Sequence, residues 1–396
     1  MTTPERAPGP ASADPQRPDS PSAPAAPDEQ PSPAGRQFPC KQCGATLVYD
    51  PDAGAPACPY CGYVEKIGPK SSPIEEHDLF EYLKRQTQPI ESLAGHSSQV
   101  TCESCKAVVL VEDHVVMDRC PYCGSVIRNA PVATTEMIEP ESLLPFAISK
   151  AKAVGAFAAW VASRWFAPSA LTKLANLGEL SGVYMPYWTY DAMTNSHYKG
   201  SRGDDYTVME QFTTTNAQGQ TIVESRPVTH TSWTRVSGEV EHFFNDILVY
   251  ASTSLPEKSI AALEPWELPE LQPFDPAFLA GFKTERYTIP VEAGFQIAST
   301  RMDAMIRQLC CRDIGGDHQQ IDSIQTERSA VTFKHLLLPL WLAAYKYEGR
   351  AYQVLINARS GEVSGTRPYS VAKIAALVTC VAAAVATVAY AIWLNQ

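Results

Sequence analysis

Basic side chains are scarce in this chain: 32 Lys and Arg stand against 43 Asp and Glu, a formal net charge of −11. A protein that works by neutralising phosphates concentrates Lys and Arg on one face, so this balance argues against a nucleic-acid partner. The first 25 residues hold no charged stretch followed by an apolar run, and no secretory signal is expected. Residues 1–36 hold no leucine and no aromatic, the first leucine being Leu47, and eleven of the 32 prolines fall at or before Pro39. Such a segment buries too little apolar surface to offset its ordering entropy, which predicts a disordered tail. Catalytic signatures are absent too. There is no Gly-x-Ser-x-Gly, no phosphate loop and no His-Glu-x-x-His.

Cysteine is plentiful and clustered. Eight of the eleven cysteines fall in four Cys-x-x-Cys pairs: Cys40/Cys43 with Cys58/Cys61, and Cys102/Cys105 with Cys120/Cys123. Fourteen residues separate the pairs in both sets, 44–57 and 106–119. Two residues between cysteines let a tight turn aim both sulfurs inward, and fourteen suffice for a hairpin arm that returns with the second pair. Four thiolates at about 2.3 Å are the ligand set of a structural zinc ion, with no position left for a nucleophilic water. Two structural Zn²⁺ ions are therefore expected; iron in a rubredoxin-like site is the chemical rival. The first module carries Lys41 and Lys66 against Asp50, Asp52 and Glu65, and the second Lys106, Arg119 and Arg128 against Glu103, Glu112, Asp113 and Asp118. Each has one net negative charge, so protein contacts are favoured over phosphate contacts.

Residues Ile374–Leu394 form an uncharged run of 21 residues, about 31 Å as a helix against a hydrocarbon core of about 30 Å. Tyr369, Tyr390 and Trp393 stand where aromatic anchors are expected. Arg359, Arg367 and Lys373 flank only the near end, which puts the bulk of the chain in the cytoplasm, the compartment where thiols stay reduced. The localisation expected is the cell membrane, spanned once. Ala375, Thr379, Ala383, Thr387 and Ala391 recur four apart, a ridge of small residues suited to a second copy or a membrane partner.

Between these landmarks, Ile74–Arg85 predicts a short helix, and residues 146–166 an amphipathic helix with Ser149 as N-cap and Val154, Phe157, Val161 and Trp165 on one stripe. Residues 182–250 alternate as antiparallel strands with turn signals at 201–205, 216–219 and 237–238. A Pro-rich wrap follows from Pro256 to Pro276. A helix over 290–312 carries Val291, Phe295, Ala298, Met302, Met305 and Leu309, ended by Gly315 and Gly316. Strands resume at Val331 and run to Gly365. The segments MPYWTYDA (185–192) and LPLWLAAY (338–345) echo one another weakly, as two hairpins of one sheet or two aromatic strands alike by chance would.

The fold class expected is α+β: two small zinc ribbons, a mixed antiparallel-β and helix domain, and one C-terminal transmembrane helix. The divisions are 1–36 tail, 37–67 first ribbon, 68–98 linker with a short helix, 99–129 second ribbon, 130–180 linker and amphipathic helix, 181–370 β-rich domain with an inserted helix, and 371–394 span. Asp317-His318 and Cys310-Cys311 are the only visible candidates for reactive pairs, and a surface loop and packed small residues account for them better. Trp188 and Trp341 are expected in a β core. No catalytic residue is assigned.

The blocks CKQCGATLVYD, CPYCG, LPFAISKAKA, RWFAPSAL, GVYMPYWTYDA, LAGFKTERY, DIGGD and LLLPLWLAAYKYEGRAYQVLINARSGEVSGTRP resemble a family of bacterial membrane-anchored zinc-ribbon proteins. These are also labelled TFIIB-type zinc-ribbon-containing or primosomal protein N′-like. The resemblance spans about residues 38–372; no helicase motif accompanies it. It implies a tail-anchored cytoplasmic adaptor in membrane-stress handling, with phage-shock-protein-A-like or stomatin/flotillin-like partners and the eight paired cysteines as metal ligands. Two alternatives stay open: a membrane-associated nucleic-acid-binding zinc-ribbon protein, and an enzyme built on residues 181–365.

Overall fold

A strand covered on both faces has no reason to alternate, and residues 182–192 and 331–343 are nearly continuous apolar runs. In the computed structural model these two runs lie side by side at the centre of the protein. The structure describes residues 38–68, 73–85, 98–103, 107–111, 117–120, 122, 125–128, 138–168, 180–215, 219–347 and 350–394. The strands are β1 (Val48–Asp50), β2 (Ala55–Ala57), β3 (His77–Asp78), β4 (Ser98–Thr101), β5 (Val108–Val111), β6 (Met117–Arg119), β7 (Val126–Arg128), β8 (Ser142–Leu143), β9 (Leu180–Thr215), β10 (Thr221–Tyr250), β11 (Gln272–Pro273), β12 (Lys283–Glu285), β13 (His318–Tyr347), β14 (Arg350–Asn357) and β15 (Val363–Gly365). The helices are α1 (Leu79–Arg85), α2 (Lys150–Ala162), α3 (Glu257–Ala261), α4 (Val291–Ile314) and α5 (Val371–Leu394). The architecture is mixed α+β.

Strand β9 is the spine. It pairs antiparallel with β10 along one edge and with β13 along the other, Leu338 opposite Met185 and Leu336 opposite Tyr187. The two echoing segments are thus direct neighbours. Val183, Met185 and Tyr187 with Leu336, Leu338, Leu340 and Leu342 bury one face, beneath Leu255, Leu263 and Trp266 of the Pro-rich wrap. On the other face Tyr184, Leu337 and Trp341 pack against Ala153, Phe157 and Val161 of α2. Further along that face Trp188, Tyr190 and Phe333 pack against Val291, Phe295, Ala298 and Met302 of α4.

Some expectations shift in detail. The buried stripe of α4 turns from Met302 to Ile306, Cys310 and Ile314, leaving Met305 exposed; four-residue spacing follows the helix better there than the three-residue step to Met305. Gly315 ends α4 at φ 64, as a C-terminal glycine does. Helix α2 starts after Ser149 and ends at Ala162, so Trp165 lies past its end and is 74% exposed rather than on the buried stripe.

The larger difference is strand length. The turn signals at 201–205 and 237–238 lie inside β9 and β10, whose register runs unbroken through Gly200, Gly203 and Gly238. These glycines serve close packing. A Cβ on Gly238 would strike the Tyr198 ring, and one on Gly200 would overlap the Gln320 carbonyl oxygen of β13. Strand β13 also begins at His318, well before Val331. Its pairing with β9 stops at Gly203, so beyond that point β9 and β10 continue, among the described residues, as a two-stranded arm. Twelve residues of β9 extend past Gly203, about 40 Å at about 3.3 Å per residue.

Candidate metal centre

The first cysteine module is a short hairpin, β1 against β2, held between two tight turns. In each turn the first cysteine's N–H donates to a carbonyl five residues on, Cys40 to Ala45 at 2.7 Å and Cys58 to Tyr63 at 2.7 Å. The glycine after each pair, Gly44 and Gly62, takes φ 73, a conformation that favours glycine. The turns bring Cys40, Cys43, Cys58 and Cys61 into one cluster whose Sγ atoms all lie within 4.8 Å of one another. Cys40 and Cys61 are 3.5 Å apart, Cys43 and Cys58 3.4 Å. A tetrahedron of thiolates about 2.3 Å from a central ion has edges of about 3.8 Å, so the donor set and its spacing fit a metal ion. Cys40 and Cys58 are buried with Leu47, while Cys43 and Cys61 face outward. The backbone N–H groups of Cys61 and Tyr60 draw the Cys58 thiol down to about 6. At Cys61 the Tyr63 N–H also pulls down, but burial and the sulfurs of Cys40, Cys43 and Cys58 carry it up to about 12.

This module sits on the central body. Tyr49 N donates to Ala280 O at 2.9 Å, the Tyr49 ring packs on Phe278 and Phe282, and Lys152 meets Asp52 at 2.5 Å. Between hairpin and sheet opens a cleft of about 670 Å³ with Tyr49, Lys150, Phe282 and Trp341 in its walls.

The second cysteine set is embedded more deeply. Cys102 and Cys120 are buried, and each repeats the turn hydrogen bond, Cys102 N to Ala107 O at 2.8 Å and Cys120 N to Ser125 O at 2.7 Å. Cys105 and Cys123 lie outside the described residues. Strand β5 of this module pairs with β12, making it continuous with the central sheet. Cys102, Ala107, Cys120 and Tyr122 share one core with Val183, Met185 and Leu338.

Sequence reasoning missed what lies underneath. The Glu285 carboxylate is 1% exposed and accepts hydrogen bonds from Tyr122 (2.6 Å), Tyr250 (2.8 Å) and Ser252 (2.6 Å). Burial pushes its pKa up and those of both tyrosines well up. It missed a second polar group as well. Lys334 Nζ lies 2.9 Å from Glu76 Oε1 and 2.8 Å from Asp246 Oδ1, and Asp246 N donates to Asp191 at 2.5 Å. Asp246 (φ 55) and Ala330 (φ 49) stand at bulges in β10 and β13 that flank Asp191 on β9. Burial lifts Asp191 to about 6, even beside Lys334. The partners come from four separate stretches of chain, so no local pattern could announce them.

The remaining candidates do not assemble. His318 Nε2 meets Asp205 at 3.2 Å, while Asp317 accepts from the Asp205 backbone N–H at 2.8 Å, so each is pinned to β9 separately. Cys310 packs in the α4 core and Cys311 beside it is half-buried. Trp188 and Trp341 are buried as expected. Helix α5 contains a stretch, Val371–Trp393, long and apolar enough to cross a membrane, exposed along its length after Lys373. On its small-residue ridge the Thr379 hydroxyl bonds back to Ala375 O at 2.9 Å and that of Thr387 to Ala384 O at 2.7 Å.

A curated protein of Bacillus subtilis (strain 168), the uncharacterized protein YdjG, is 23% identical over 344 residues, covering 86% of this chain and 92% of that one. No family model matches the chain. No solved structure matches it either.

Proposed function

We propose that the protein is a membrane-anchored zinc-ribbon adaptor on the cytoplasmic face, holding partner proteins at the bilayer. The observation that carries this reading is the four-sulfur cluster of Cys40, Cys43, Cys58 and Cys61 in a chain that also holds an exposed apolar helix. Four thiolates close a tetrahedron, which suits a structural ion and leaves no site for metal-assisted hydrolysis. Cys102, Cys105, Cys120 and Cys123 hold the second zinc ion, a reading supported by the repeated turn hydrogen bonds at Cys102 and Cys120. The ions fix the turns; no step of chemistry passes through them.

Helix α5 is the anchor. Arg367 and Lys373 at its near end orient the cysteine modules toward the cytoplasm. The resemblance to membrane-anchored zinc-ribbon proteins supplies the partner class: phage-shock-protein-A-like or stomatin/flotillin-like proteins of the membrane-stress response. The α5 ridge at Ala375, Thr379, Ala383, Thr387 and Ala391 offers a surface for a second copy. Metal analysis of purified full-length protein should approach two zinc ions per chain, and crosslinking in native membranes should capture protein partners of that class. Metal near zero with all thiols titratable would falsify the zinc reading. Crosslinks confined to nucleic acid would favour the competing one.

A further inference from the structure

The charge of this chain is unevenly distributed. Despite the net −11, no acidic residue occurs from Ser142 to Gly178 or after Glu362, and those stretches carry Lys150, Lys152, Arg164, Lys173, Arg367 and Lys373. Among the described residues, the structure fastens the two stretches together beside the start of α5. Ser370 N donates to Phe166 O at 2.7 Å, and Lys373 Nζ donates to Ala167 O at 2.8 Å. The turn that follows α2 is therefore fastened to the first turn of α5.

Its side chains are unusual for a surface in water. Trp165 is 74% exposed and stacks on Phe166, with ring centroids 6.2 Å apart and planes 11° from parallel. Tyr369 is 61% exposed and Val371 79%. The Arg164 guanidinium lies 5.3 Å from the Trp160 ring and that of Arg367 5.3 Å from the Tyr369 ring. Arg367 is half-buried, and its Nη1, itself buried, finds no acceptor among the described residues. Aromatic rings with one wet and one apolar side settle at the level of lipid headgroups, and neighbouring cations meet the phosphates there.

We propose that residues 163–168, with Arg367, Tyr369 and Lys373, form an interfacial foot that binds anionic phospholipid headgroups where α5 enters the bilayer. The proposal rests on α5 being a span and goes beyond it: the span anchors the chain, and the foot fixes how the body stands on the membrane. Trp165 and Tyr369 sit among the headgroups, and Arg164, Arg367 and Lys373 contact phosphate oxygens. No acidic side chain in either stretch opposes them.

The test uses full-length protein in nanodiscs of phosphatidylcholine, with or without one-third phosphatidylglycerol. Bromine-labelled lipids should quench a fluorescence component that Trp165→Phe removes. Phosphatidylglycerol should be retained through detergent exchange in excess over phosphatidylcholine, and Arg164→Glu/Arg367→Glu should cut that retention several-fold with metal content and circular dichroism unchanged. The foot is refuted if the protein resists carbonate extraction while Trp165 escapes quenching, or if retention is the same in the double variant. Complete release by carbonate is a different result, which overturns the span and the foot together.

Discussion

Among the cysteines, Cys58 and Cys61 are pushed in opposite directions by their surroundings. Backbone N–H groups draw the Cys58 thiol down, while burial and the neighbouring sulfurs push Cys61 up. A metal that binds all four must displace the protons that remain, so its affinity falls as pH falls, by roughly tenfold per pH unit for each proton displaced. Competition with a chelator between pH 7.5 and 5.5 should show this loss, and Cys58→Ser should remove one metal equivalent per chain. A second residue sets acid stability. His335 is buried among Trp188 and Tyr287, its Nδ1 3.0 Å from Ile138 O, and burial lowers its pKa to about 4. The folded state resists the proton that the unfolded chain accepts near 6.5. Its stabilising contribution is whole above that value and is lost as pH falls toward 4, on the order of 3 kcal/mol. Urea titrations across this range should find His335→Gln less stable than the natural protein at pH 7 but with a shallower decline into acid. Equal slopes would mean that His335 is not the group responsible.

The three longest helices and the first pair of cysteine turns were the readable parts, because each is specified by neighbours in sequence; α3 lay hidden in the Pro-rich wrap, and α1 is helical only over Leu79–Arg85 of the 74–85 expected. The spacing of the paired cysteines foretold the first sulfur cluster, Gly315 and Gly316 marked the end of α4, and the uncharged run from Ile374 became α5. The strands were harder, for two physical reasons. Residues 318–330 lack a period of two because β13 bulges between Ile321 and Ser323 and again between Ser329 and Thr332, so partly buried Ile321 and Ile324 stand three apart instead of two. Gly200, Gly203 and Gly238 resembled turn residues although their use is contact between strands and side chains. That use can be tested at Gly200. A methyl group there meets the Gln320 carbonyl, which belongs to a backbone held by pairing on β13 and cannot swing aside as a side chain would. Gly200→Ala should therefore destabilise the protein by about 1–3 kcal/mol, the usual cost of forced overpacking. In thermal unfolding, a neutral outcome would show that the β9–β13 spacing relaxes freely at this point.

The two cysteine modules are similar in sequence but differently integrated, and this predicts different consequences of losing them. The first has a small core of its own, Cys40, Leu47 and Cys58, and meets the body mainly through Tyr49 and the Asp52–Lys152 pair. The second has no separate core among the described residues: Cys102 and Cys120 pack with Val183, Met185 and Leu338, β5 extends the sheet, and Tyr122 caps the buried Glu285. If that second set unfolds, Glu285 loses a hydroxyl partner while still buried, at a cost of about 1–3 kcal/mol or more for a charged group, in addition to the apolar surface exposed. Cys40→Ser/Cys58→Ser should thus melt a local module and leave the main transition nearly in place. Cys102→Ser/Cys120→Ser should lower the midpoint of the main transition itself. Hydrogen exchange resolved along the chain separates the cases: the first pair should speed exchange around residues 38–66 alone, the second also at β9, β12 and β13. If both double variants exchanged alike, the second module would be as detachable as the first, and its continuity with the sheet would carry no energetic weight.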